Sequence, residues 1–100
     1  MIYLNLIINE RNVVMKIKNG FVKRNIAGTN IVVATGKKAP FHGTIHLNDS
    51  ASFFWDCFQK DISVDECVRL VCENYDVEEK RARADVEKFV KMLKDNDLVE

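Results

Sequence analysis

Proline and glycine are scarce in this 100-residue chain, at one and four residues. That excludes a collagen-like repeat and a low-complexity chain. Long apolar runs are missing too, for nothing approaches the ~18 residues a membrane-spanning helix needs. The longest, residues 2–8, is interrupted by Asn5 and has no basic flank before it, so neither a secretory signal nor a membrane association is expected. Cysteine is limited to Cys57, Cys67 and Cys72. With no CxxC pair and no even-numbered framework, free thiols and a cytoplasmic setting are the expectation. Formal net charge is zero, whereas a dedicated nucleic-acid binder usually carries a clear basic excess. Catalytic motifs are absent as well: there is no G-x-S-x-G, no phosphate-cradling glycine loop and no H-E-x-x-H. His42 and His46, four residues apart on a strand, would sit ~13 Å from each other, too far to share a metal ion. No catalytic residue, metal ligand or cofactor is expected.

What is present fits one small soluble domain. Apolar residues make up 47% and charged residues 30%. A chain of this length buries roughly two-thirds of its unfolded surface, enough for a two-layer fold. Charge is unevenly distributed: residues 1–46 carry seven basic side chains against one acidic, and residues 47–100 carry eight against fourteen. The basic half could attract an acidic partner.

The first half reads as strands. Residues 21–26 form a short apolar-polar stretch, and Ala27-Gly28-Thr29-Asn30 a turn cluster. Ile31-Val32-Val33-Ala34-Thr35 is β-branched and nearly all apolar, which predicts a central strand covered on both faces. After a loop containing Pro40, a third strand over 43–47 turns Ile45 and Leu47 one way and Thr44 and His46 the other. Short links favour an antiparallel meander.

The second half reads as three helices. Asn48 or Asp49 can cap the first, whose Ala51, Phe54, Trp55 and Phe58 recur at helical spacing. Ser63 and Glu66 form a capping box for the second, with Val64, Cys67, Val68, Val71, Cys72 and Tyr75 as its apolar stripe. Asp76 and Glu79 form another, opening a longer helix with Ala82, Val86, Phe89, Val90 and Leu93 inward. Asn96-Asp97 ends it, and Leu98-Val99 folds back onto the core. Strands followed by helices give an α+β fold. Residues 1–14 are an N-terminal extension, disordered or an extra strand, and residues 15–100 are the domain. Cys67, Cys72, Phe54 and Trp55 read as core. Lys80, Arg83, Lys91 and Lys94 line one side of the third helix, as on a DNA-recognition helix or a solvated face.

Leu47-Asn48-Asp49-Ser50-Ala51 followed by Trp55 resembles the LN-x-(S/T)-A…W segment of the PqqD family. Asp61-Ile62-Ser63-Val64-Asp65-Glu66 resembles that family's next helix opening, and Tyr75-Asp76-Val77 its exit. Ala84-Asp85-Val86-Glu87-Lys88-Phe89-Val90, then Leu93 and Asn96-Asp97-Leu98-Val99, resembles its closing segment, with Asp97 where the family usually has glycine. The resemblance implies a winged-helix-like fold of three strands then three helices, without catalysis. It implies a recognition element that holds the leader segment of a ribosomally made precursor peptide and presents it to a maturase, often a radical S-adenosylmethionine (SAM) enzyme.

An unpaired outer edge on the third strand would suit that role, because an exposed edge is a template for a further strand. The expected peptide-binding residues are Gly43, Thr44, Ile45, His46 and Leu47 on the strand, with Arg81, Asp85, Lys88 and Met92 on the third helix. Arg81 and Lys88 suit acidic leader residues, and Met92 suits an apolar anchor. Arg83 and Val90 flank the other side of that helix, whose rotation stays open. The β-prone residues 2–8 could occupy the strand edge themselves, in their own subunit or a neighbour. A monomer and a strand-paired homodimer are both compatible with an open edge. The alternatives are a winged-helix DNA-binding regulator and a small structural subunit.

Overall fold

The short polar residues that open helices set the frame. In this computed structural model, which describes residues 13–35 and 44–99, the Asn48 side chain accepts the Ala51 N–H at 2.8 Å and opens α1, Asp49–Cys57. Ser63 and Glu66 complete a capping box at the start of α2, Val64–Asn74. Both satisfy N–H groups that a first helical turn leaves without a carbonyl partner.

The start of α3, Glu79–Asp95, departs from expectation. Its N-cap is Glu78, with no side-chain cap, so Asp76 and Glu79 form no capping box. Instead Tyr75 and Glu78 are extended, and Val77 between them packs against the core. A cap contributes about 1 kcal/mol. Half-burial of a valine contributes about as much, and the position of α3 also allows the Arg83–Asp65 contact at 2.7 Å. Tyr75 likewise leaves the expected stripe: it follows α2, is 50% exposed, and meets the Phe53 ring edge-on at 5.2 Å.

Three antiparallel strands pair in the order β1 (Phe21–Ile26), β2 (Thr29–Ala34) and β3 (Ile45–Leu47). With the helices they make an α+β fold. The first turn is tighter than expected, because Thr29 and Asn30 pair with Ile26 and Asn25 inside the ladder. Only Ala27 and Gly28 remain, at φ +54° and +85°. Two consecutive left-handed residues are the hairpin solution that matches strand twist. An L-residue pays roughly 1–2 kcal/mol for that backbone, and Asn pays less. Ala27→Asn is therefore expected to stabilise the fold by ~0.5–1 kcal/mol, raising Tm by a few degrees. A calorimetric scan showing no rise would contradict the turn assignment.

Among the described residues, the sheet is covered on one face only. Val32 is buried, but Ile31 and Val33 are half-exposed and Val22 and Ile26 exposed, correcting the expectation of a strand covered on both sides. The inner face, which carries Leu47 and the row Lys23, Val32 and Ile45, meets the helices. Lys23 Nζ crosses that layer to donate to Ser52 Oγ at 2.8 Å and Asp56 Oδ1 at 2.7 Å. β3 is also shorter than expected. Its pairing with β2 stops at Val32–Ile45, leaving Thr44 exposed before it, and Gly43 and His42 lie outside the described residues.

The helical stripes form the core. Phe54, Trp55 and Phe58 meet Val64, Cys67, Val68 and Val71 of α2 and the inward residues of α3, all buried. Two residues before the sheet join them. Met15 exchanges backbone hydrogen bonds with Ile62, and Ile17 bonds to the Phe58 carbonyl and bridges Val99. Asp97 adopts φ +57° and takes Lys18 as an ion-pair partner at 2.9 Å, and Leu98 returns fully buried. The expectations for residues 1–12, including a strand over 2–8, lie outside the described residues.

Candidate functional site

β3 pairs with β2 along one edge and with no other strand among the described residues. Beside it lies a cleft of about 430 Å³. Ile45, His46 and Leu47 form its strand wall. Arg81, Asp85, Lys88 and Met92 form the opposite wall on α3, because residues at i, i+4, i+7 and i+11 share one helical flank. The floor is apolar, with Phe54 and Phe89 packed edge-to-face at 5.5 Å. Asn48, Ser50 and Ala51 close the end at the start of α1.

Seven of the nine residues singled out from the sequence thus line one space. Thr44 lies outside the cleft lining, and Gly43 outside the described residues. The rotation of α3 is set by packing. Val90 is buried, and Arg83 turns to α2, where it donates to Asp65 at 2.7 Å, and it also pairs with Glu79 of its own helix at 3.8 Å. The Asp65 hydrogen bond raises the Arg83 pKa. Lys91 pairs with Asp95 at 2.7 Å. These contacts bring carboxylates onto the basic stripe, which disfavours phosphate binding there.

The cleft offers strand backbone that pairs with no second strand among the described residues, an apolar floor, two cations and one carboxylate. Arg81 Nε lies 3.6 Å from Asp85 Oδ2, leaving Lys88 as the cation toward the middle of α3. His46 is exposed. No group of three His, Cys, Asp or Glu among the described residues is placed to hold a metal ion, and no described helix is long and apolar enough to cross a membrane. Five cleft residues, Asn48, Ser50, Ala51, Phe54 and Phe89, were not expected from the sequence. The apolar spacing of Ala51, Phe54 and Phe89 reads as core and Asn48 reads as a helix cap, and only packing shows that the core surfaces here.

The cysteines lie away from the cleft. Cys67 is buried, and Cys57 and Cys72 are half-buried. A hydrogen bond between the Cys57 and Cys67 thiols, followed by burial, pushes Cys67 up, while the same bond pulls Cys57 down. The thiolate is the reactive form. Iodoacetamide at pH 8 is therefore expected to label Cys57 in the native protein and Cys67 only after denaturation, as read by peptide mass spectrometry. Equal native labelling of the two would refute this ordering.

No curated protein matches the sequence. A solved structure, "TbiB1 in Complex with the TbiA(beta) Leader Peptide", superposes with a TM-score of 0.67 at 20% sequence identity, covering 85% of this chain and 94% of that one. At that identity the likeness concerns the fold, which the two share over nearly their whole lengths. The family model for coenzyme PQQ synthesis protein D (PqqD) matches residues 13–99, from just before Met15 to the bridge at Val99. This chain belongs to the PqqD family.

Proposed function

We propose that this protein is a non-catalytic peptide chaperone. It takes the leader segment of a ribosomally made precursor peptide as a fourth strand along β3 and presents it to a modifying enzyme of the radical SAM type. The observation that carries this reading is the edge of β3, which pairs with no second strand among the described residues and faces a cleft walled by α3. Main-chain hydrogen bonds along such an edge supply affinity, and pockets for alternate side chains supply specificity. Family membership supports it, as does a neighbour of the same fold captured with a leader peptide. Gly43, Thr44, Ile45, His46 and Leu47 are the proposed strand contacts, with Arg81, Asp85, Lys88 and Met92 as side-chain contacts. A cytoplasmic location, and either a monomer or a strand-paired homodimer as the free state, complete the proposal.

The test is an amide-shift titration of the labelled full chain with synthetic leader peptides of neighbouring precursor genes. Shifts are expected at residues 45–47 and along 81–92. Saturable shifts confined to the Lys80–Lys94 stripe on adding duplex DNA, with none from any peptide, would replace this reading with DNA binding.

A further inference from the structure

A second, smaller cavity opens off the cleft. Its volume is about 120 Å³. Ser50, Phe54 and Asp85 line both spaces, so they form the junction. Beyond them the wall is largely apolar: Val71 of α2, Val77 of the α2–α3 link and Ala82 of α3, with Tyr75 at the side. Four segments meet there, and the void exists because the smallest of the inward α3 residues, Ala82, faces Val71 and Val77 rather than a larger side chain.

We infer that this cavity is an anchor subsite, taking one branched aliphatic side chain of the peptide that lies in the cleft. The inference rests on the peptide-binding reading above and goes beyond it by naming the chemistry of one ligand residue. Size decides which side chains enter. An apolar cavity of about 150 Å³ admits a benzene ring. At 120 Å³ the space suits leucine, isoleucine or valine and excludes an indole. Chemistry agrees, since an apolar wall rejects a charged head that would be left unpaired. Asp85 stands at the mouth with Arg81 3.6 Å away. Its carboxylate can accept the main-chain N–H of the residue whose side chain turns inward. An added strand sends alternate side chains to opposite faces, so one residue can enter the cavity while its neighbours keep the β3 edge.

Selection of a displayed random peptide library on the immobilised full chain tests this. Peptides enriched on the wild type are expected to carry leucine, isoleucine or valine at one fixed position. Replacing that residue by alanine should weaken binding about 30-fold, since each lost methylene in a fitted apolar pocket costs several-fold or more. Ala82→Leu, which fills the cavity from α3, should erase the difference between the leucine and alanine peptides. Val77→Phe, which fills it from the link, provides the same comparison if Ala82→Leu does not fold. Peptides enriched without an aliphatic position, or a leucine-to-alanine ratio unchanged in a folded filled variant, would overturn the anchor subsite and leave strand addition standing. Failure to enrich any peptide that shifts residues 45–47 would overturn both.

Discussion

Phe58→Ala is expected to lower Tm by more than ~12 °C, through a loss of about 3–5 kcal/mol for a fully buried phenylalanine. Phe58 has 0% exposure. It sits at the C-cap of α1, where its N–H bonds to the Phe54 carbonyl at 3.0 Å. Its own carbonyl accepts the Ile17 N–H at 2.9 Å, and its ring stacks on Phe89 of α3 at 6.4 Å. One side chain therefore ties α1 to α3 at the point where the segment before β1 enters the core. Small domains have only about 5–15 kcal/mol to lose, so this substitution leaves a marginal fold. Val22→Ala, on the open sheet face, is the control and should cost less than ~1 kcal/mol. A thermal melt in which both variants lose only a few degrees would mean that Phe58 does not join these elements.

Ala51→Trp is expected to reduce peptide affinity roughly 100-fold, the scale of an interface hot spot of about 2.7 kcal/mol. Ala51 is half-buried at the closed end of the cleft, one turn before Phe54 on the floor. An indole there projects into space the ligand must fill. Only the Ala51 backbone N–H serves the Asn48 cap, so the side-chain change leaves α1 capped and costs the helix less than ~1 kcal/mol in propensity. Fluorescence anisotropy with a labelled peptide selected on the wild type checks this, with circular dichroism confirming the fold. Affinity within about threefold of wild type, in a folded variant, would place the ligand elsewhere.

The two experiments probe different demands on the same residues. Phe54 and Phe89 belong to the core and also floor the cleft, so truncating them would confuse folding with binding. Ala51, Ala82 and Val77 border empty space, and enlarging them tests binding by filling.

Much of this arrangement is written locally. Asn48, Ser63 and Glu66 cap helices through side-chain hydrogen bonds spanning three residues, and such short-range chemistry can be read one segment at a time. The apolar spacing of α3 announces its buried side for the same reason: helical geometry is set within a turn. The choice of Arg81, Asp85, Lys88 and Met92 over Arg83 and Val90 as cleft residues was not local. It depended on Arg83 meeting Asp65 eighteen residues away.

The amino-acid sequence by itself determined the order of elements, the helix stripes, the place of the hairpin and the family likeness, because each rests on neighbours a few residues apart. Tertiary structure alone decided the uncapped start of α3, the exposure of Val22 and Ile26 on the sheet, the docking of Met15 and Ile17 on Ile62 and Val99, and the anchor cavity. Those features join segments that are distant in the chain, and their energies come from surfaces that exist only once the segments have packed.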